Sequence, residues 1–289
     1  MNNLQLLVSG VALGIVYGLV AMGMVLIFRT VGVMNFAQGN FLMFSGYVCY
    51  QFNQKIGLPM AISMFITIII MGLMGILFQK VAYWPLRNAP SKAIVVSTMG
   101  AAFVLQEGAR IIWGAVPLSM DRLIPGSVKL GSSVLQGQYI AIIIVSAILM
   151  AFIYFLLEKT RIGSIMQATA QDQYMASLVG ISVKKSVALT FFLSIAIAGI
   201  AGTLMTPIFF ITTGVGTTSS VKAFAAIVIG GFGSIPGAII GGIIVGLVEA
   251  FGGTYISSTY QLALIYVVLI LVLIFRPQGL FGGKIQEKA

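Results

Sequence analysis

Histidine is absent from the 289 residues, cysteine occurs once, and charged side chains make up only 8%. With no histidine and a single Cys49, the chain has no disulfide framework, no zinc site of the usual Cys and His ligands, and no imidazole base. The shortage of charge excludes more. A soluble domain carries roughly 25% charged residues, and a chain so poor in them cannot cover its own surface. With 59% hydrophobic residues and a mean hydropathy of +1.08, the sequence is that of an integral membrane protein.

The charge that is present leans to one sign. Sixteen Lys and Arg against six Asp and Glu leave a net +10. The basic residues stand in ones and twos between apolar runs, and no basic arm or helix tracks a phosphate backbone, so nucleic acid is not an expected partner. Basic residues between spans are what the positive-inside rule places there.

Eight apolar blocks follow one another, at 6–28, 31–52, 58–78, 93–113, 139–157, 187–210, 223–251 and 261–275. About 20 residues suffice to cross a bilayer core, so the fold class expected is an all-α polytopic membrane protein. The first block follows no basic residue and is too long for a signal-peptide core, so it reads as a helix of the mature chain. If the loop 159–185 is cytoplasmic and the first five blocks each cross once, the N-terminus lies outside. Arg29, Lys80, Arg87 and Lys92 then fall inside, and Lys55, Arg110, Arg122 and Lys129 outside. Arg276, Lys284 and Lys288 also belong inside, which requires one further crossing. Block seven is broken by GGFGSIPG at 230–237; short helices at 223–229 and 238–251 would supply that crossing, unless the first merely re-enters the membrane.

Glycine, at 34 residues, is abundant and spaced in fours: Gly10, Gly14 and Gly18, then Gly237 with Gly241, and Gly242 with Gly246. Small residues at that interval let membrane helices approach closely. Two segments read as helix breaks. One is the polar stretch 35–40 with Asn35, Gln38 and Asn40; the other, broken also by a proline, is 230–237 with Gly230, Gly231 and Gly233. Broken membrane helices either border a solute path or are bends whose backbone is satisfied by protein, and both readings stand for these six candidate residues. Among the acids of the spans, Glu107 lies three residues before Arg110 and can pair with it, while Glu249 sits near the end of block seven; each is a functional candidate or an interface residue. No run of acids suits a proton relay.

Between blocks five and six, residues 158–185 are too polar to span. A short helix is expected over 170–180, started by Asp172 or Thr169 and ended by Gly180, with Met175, Ala176 and Val179 on one apolar face and Ser182 capping the next helix. Such a helix suits docking into a partner's groove, or lying on lipid. No Gly-x-x-x-x-Gly-Lys-Ser/Thr phosphate loop occurs in the chain.

Arg161-Ile-Gly163 followed by Ala168-Thr-Ala-Gln-Asp172, Ala176 and Gly180-Ile181 resembles the cytoplasmic loop of the branched-chain amino acid ABC transporter permeases, in particular the smaller, H-type permease of the Liv system. Asn35-Phe-Ala-Gln-Gly39, GGFGSIPGAIIGG from Gly230 and the terminal Phe275-Arg-Pro-Gln-Gly-Leu-Phe281 resemble further motifs of that family in the family's order. Gln38 stands where many members have His, and Ser164 and Gln167 where Arg is common. The resemblance implies an ABC importer permease fold forming one transmembrane domain over 1–289, with a coupling loop at 159–186. It implies a transport subunit of the bacterial inner membrane, not an enzyme, with no cofactor of its own. ATP and Mg would be bound by two partner ATPases, beside a related second permease and an extracytoplasmic solute-binding protein. The solutes would be leucine, isoleucine and valine, and the ATPase contacts Arg161, Gly163, Ala168, Ala170, Asp172, Ala176 and Gly180. An amide, urea or sugar permease of the same superfamily is the alternative nearest to it, and an ion-coupled carrier or channel the more distant one.

Overall fold

The computed structural model describes residues 3–124, 126–130 and 133–282; Lys284 and Lys288 of the orientation argument lie outside them. The chain forms α1 (Asn3–Val31), α2 (Gln38–Tyr50, extended by a π-helical turn Gln51–Lys55), α3 (Met60–Phe78), α4 (Ser91–Trp113), the strands β1 (Ser127–Leu130) and β2 (Ser133–Gln136), then α5 (Gly137–Lys159), α6 (Arg161–Gln171), α7 (Gln173–Leu178), α8 (Val183–Met205), α9 (Val215–Gly230), α10 (Ile235–Tyr255) and α11 (Gln261–Phe275). Among the described residues seven helices are long and apolar enough to cross a membrane. The antiparallel β1–β2 hairpin, which the apolar blocks do not foreshadow, sits in the connection before α5.

The central pillar is α1. It is apolar on every side and buried on nearly every side, with Ala12, Val16, Leu19, Val20 and Met24 wholly enclosed, as a helix without a polar stripe must be inside a bundle. Its glycines carry the close crossing that their spacing predicts. A Cβ on Gly14 would lie 2.6 Å from the Cα of Ile243, and one on Gly18 3.1 Å from that of Ile239. α8 runs beside α1 and is buried through Ser194–Met205. The outward surfaces of α3, α5 and α11 are apolar and exposed, at Phe65, Leu73, Ile148, Phe152, Ile270 and Ile274 among others, and these face lipid.

Block seven does split. α9 and α10 are separated by residues 231–234, so two helices stand where one block runs, α9 at 16 residues being shorter than a full span. α9 is longer than the sequence indicates, starting at Val215 and not at 223; the small residues Gly216, Ser219 and Ser220 are buried there, with Gly216 and Ser220 packed on Gly39 and Asn40 of α2. Block two also divides. Residues 32–37 are not helical, and α2 starts only at Gln38, inside the bundle.

One end of the bundle gathers the C-terminus of α1, α6–α7, the α9–α10 turn and residues 276–281. Gln173 Nε2 donates to Thr30 O at 3.0 Å, Arg29 Nε to Gly233 O at 2.6 Å, and the amides of Leu280 and Phe281 donate to Ile229 O and Gly230 O, each at 2.9 Å. Tyr255 bonded to Asn3, and Trp113 bonded to Gln51, mark the opposite end. The first end carries Arg29, Lys80, Arg87, Lys92, Lys159, Arg161, Lys184, Lys185 and Arg276; the second carries Lys55, Arg110, Arg122 and Lys129. The positive-inside rule assigns the first end to the cytoplasm and the N-terminus to the outside.

Candidate functional site

The polar stretch before α2 is turned inward. Asn35, Gln38 and Asn40 are all at most 2% exposed. Asn35 Oδ1 accepts from Ala37 N and its Nδ2 donates to Gln38 Oε1, both at 3.1 Å. Gln38 Nε2 donates to Ser194 O at 2.9 Å and Ser194 Oγ at 3.0 Å, and that hydroxyl donates in turn to Gly23 O at 2.7 Å. Asn40 Nδ2 reaches Ala102 O of α4 at 2.9 Å, while its Oδ1 has no partner among the described residues. Ser220 Oγ of α9 donates to Phe36 O at 3.2 Å and accepts from Gly39 N at 3.0 Å. The three amides thus join the loop and the start of α2 to α1, α4 and α8, satisfying backbone that lipid could not.

At the second break Gly230 and Gly231 are buried against backbone. A Cβ on Gly230 would run into the carbonyl of Gly237, and Gly231 (φ +108°) lies against Gly279 and Gly282. Gly233 (φ +79°) has open space at its Cβ position and lends its carbonyl to Arg29. Ser234 caps α10 by accepting from Gly237 N at 3.1 Å, with Pro236 in the first turn. The six candidate residues therefore form two separate junctions.

The cytoplasmic segment corrects the expectation of one short helix over 170–180. Two helices are present, divided at Asp172, whose backbone is extended (φ −156°, ψ 110°). Asp172 Oδ1 accepts from Tyr174 N at 2.8 Å and Met175 N at 3.0 Å, so it caps α7; Thr169 is buried within α6 and bonds Ile165 O. α6, which the sequence does not announce, is capped by Thr160, whose Oγ1 accepts from Gly163 N at 3.3 Å. Its buried positions Gly163, Met166 and Thr169 face α5 and α1, and a Cβ on Gly163 would collide with Leu157 O. Arg161 is exposed, and Ala168 and Ala170 are half-buried. The apolar face read on α7 also differs. Ala176 alone of its three residues is buried, whereas Met175 and Val179, with Tyr174 and Leu178, are more than half exposed. Gly180 adopts φ +83° and ends α7 as expected. Ser182 precedes α8, but its hydroxyl makes no cap; its carbonyl accepts from Ser186 N.

Glu107 and Arg110 pair at 3.0 Å on an exposed surface near the outer end. Glu249 has a different setting. It is buried in the bundle, and its Oε1 lies 2.6 Å from Nζ of Lys222 on α9. Lys222 also donates to the hydroxyl of Tyr17 on α1 at 3.1 Å, its ammonium 4.9 Å from that ring's centroid. Lys222 stands one residue ahead of the apolar block at 223–251, and nothing in the linear sequence joins it to Glu249. Glu249 Oε2 has no partner among the described residues. Two turns in from the outer end of α4, Gln106 Oε1 accepts from Thr217 of α9 at 3.3 Å, and Thr217 and Thr218 are exposed. Thr218 Oγ1 donates back into its own helix, to Val215 O at 3.0 Å and Gly214 O at 3.3 Å, leaving its lone pairs on the open face.

Residues 6–273 match the family described as the permease component of branched-chain amino acid transport systems. The chain is 32% identical to the high-affinity branched-chain amino acid transport system permease protein BraD of Pseudomonas aeruginosa, over 99% of this chain and 98% of that one. It is 33% identical to the corresponding LivH protein of Salmonella typhimurium, over 99% and 97%. A probable LivH of Methanocaldococcus jannaschii is 28% identical over 91% of this chain and 88% of its own. PsaBC from Streptococcus pneumoniae, solved in complex with Fab, shares the fold at TM-score 0.51 and 13% identity, over 95% of this chain and 92% of that chain.

Proposed function

The chain belongs to the family of branched-chain amino acid transport permeases, and from that premise we propose that it is the transmembrane permease subunit of an ATP-driven importer of leucine, isoleucine and valine in a bacterial inner membrane. The observation that carries the reading is the near-complete match, 99% of this chain against 98% of BraD, together with a cytoplasmic end built to dock. α6 and α7 are held firmly by Gly163, Met166 and Gln173, yet they present Tyr174, Met175, Leu178 and Val179 to the outside. Exposed apolar side chains on a basic, water-facing end invite a partner's groove. That partner is a nucleotide-binding subunit, since this chain carries no phosphate loop. Two such subunits, a related second permease and an extracytoplasmic solute-binding protein complete the assembly.

The solute route of this reading follows the open face shared by α4 and α9, where Gln106, Thr217 and Thr218 offer uncharged donors and acceptors. The amides Asn35, Gln38 and Asn40 and the glycines 230, 231 and 233 hold that face in place from behind. Proteoliposomes decide the matter. The chain with its ATPases, second permease and binding protein should accumulate leucine, isoleucine or valine with ATP, and the chain alone should not. Accumulation by the chain alone under a proton or sodium gradient would overturn the reading; ATP-driven uptake of urea, an amide or ribose in preference would keep the machine and replace the solute.

A further inference from the structure

The ion pair Lys222–Glu249 belongs neither to the docking end nor to the buried amides of α2. Removing two charges from water costs several kcal/mol per ion, and well-packed apolar side chains often serve stability as well or better. What such a pair supplies is a defined position. α9, which carries Lys222, is bounded at both ends by non-helical chain, before Val215 and at 231–234. Its N-terminal half buries Gly216, Ser219, Ser220 and Ala223, side chains that permit close approach but interlock too little to fix rotation or depth. The directional ties from that half to other elements are Thr217 Oγ1 to Gln106 of α4, Ser220 Oγ, placed between Gly39 N and Phe36 O, and Lys222 Nζ, placed between Glu249 of α10 and Tyr17 of α1; of these only the last carries charge. Lys222 lies one turn beyond exposed Thr218 and two turns before the end of α9 that meets Arg29, Leu280 and Phe281. The pair is nearly closed off from solvent, its side chains 13% and 10% exposed, so an attraction across it is little screened.

We infer that Lys222, Glu249 and Tyr17 form an electrostatic latch that fixes α9 against α1 and α10, and that this fixed position ties movement at the cytoplasmic end to the exposed stretch of α9 at Thr217 and Thr218. All three are positioning residues. The inference rests on the permease reading above.

Coupling is read in the unlabelled assembled complex, and distances in a Cys49→Ser complex with spin labels on cysteines replacing Gly214 and Thr254, both exposed. K222M and E249Q should assemble, yet solute moved per ATP hydrolysed should fall about tenfold, within the usual range for a coupling between sites. The distribution of label distances should broaden in both variants. K222E/E249K should recover most of the coupling and the narrow distribution, and coupling across the variants should not follow their thermal unfolding temperatures, as a role confined to stability would require. Assembled K222M or E249Q with wild-type coupling and an unchanged distribution overturns the latch, and so does a charge swap that restores neither. If K222M does not assemble, Y17F carries the test, since it removes one acceptor and no charge. It should lower coupling at least about twofold, and wild-type coupling in Y17F would again overturn the latch. A wild-type complex whose ATP hydrolysis ignores solute-loaded binding protein refutes the permease reading itself, whatever the variants do.

Discussion

At the scale of single residues, two kinds of glycine behave differently. Gly180 sits at φ +83° with open space around its Cβ position, so a substitution there costs backbone strain and nothing else. For valine that is about 1–2 kcal/mol, enough to shift the turn that follows α7 while leaving membrane insertion intact. Gly180→Val should reach the membrane in normal amount and lose most solute-stimulated ATP hydrolysis, and Gly180→Asn should lose less, because Asn tolerates the left-handed region. Wild-type stimulation in Gly180→Val would remove the role given to this turn. Gly14 is constrained by its neighbour, with Ile243 Cα only 2.6 Å from where a Cβ would sit. Gly14→Leu forces α1 and α10 apart and should cost at least about 1–3 kcal/mol. Thermal unfolding in detergent should show it, whereas Gly100→Leu, with nothing within 4 Å, should unfold like the parent. The fours spacing of glycine made close helix packing legible in advance, since spacing is a property of the linear chain, but not that α1 and α10 are the partners. Lys222 was not legible: a lysine flanking an apolar run looks like a membrane-edge residue until a carboxylate 27 positions away is brought to 2.6 Å.

At the scale of elements, the division of the cytoplasmic segment at Asp172 gives the coupling region two rigid pieces. Asp172→Ala removes both side-chain bonds at the start of α7, a loss of about 1 kcal/mol. It should loosen Tyr174, Met175 and Leu178 together and lower solute-stimulated ATP hydrolysis, while Asp172→Asn, which can still cap, keeps most of it. Equal activity in both variants would mean that the cap does not matter to docking. The sequence showed that this segment was helical and where it ended. It hid α6 because a helix lying across a bundle end buries only Gly163, Met166 and Thr169, too few apolar positions for a clear period. The breaks at 35–40 and 230–237 were legible as breaks, but whether their polar groups face solute or protein depends on neighbours such as Ser194 and Ala102, far away in the chain. Single cysteines compare the two faces directly. In a Cys49→Ser background, cysteines at 217 and 218 should react with hydrophilic thiol reagents. Those at 35, 38 and 40 should stay silent in this conformation. Reaction at position 38 at the rate of 218 would move the solute route to α2.

At the scale of the whole molecule, the bundle is organised around contacts between the two extremes of the chain. α1 packs on α10, and Gly14 meets Ile243. In biosynthesis that order has a temporal meaning. The pillar of the finished bundle is made well before its main partner, which leaves the ribosome more than two hundred residues later, a delay on the order of 10–50 s at the usual rate of synthesis. During that interval the glycine groove of α1 has only lipid or a temporary escort against it. Its unbroken apolar surface makes such a wait physically possible, for a helix with a charged or polar stripe would be poorly retained by hydrocarbon. The nascent chain should therefore remain protease-sensitive through the synthesis of α8 and become resistant only as α10 emerges, so that maturation of this protein is timed from its C-terminal third.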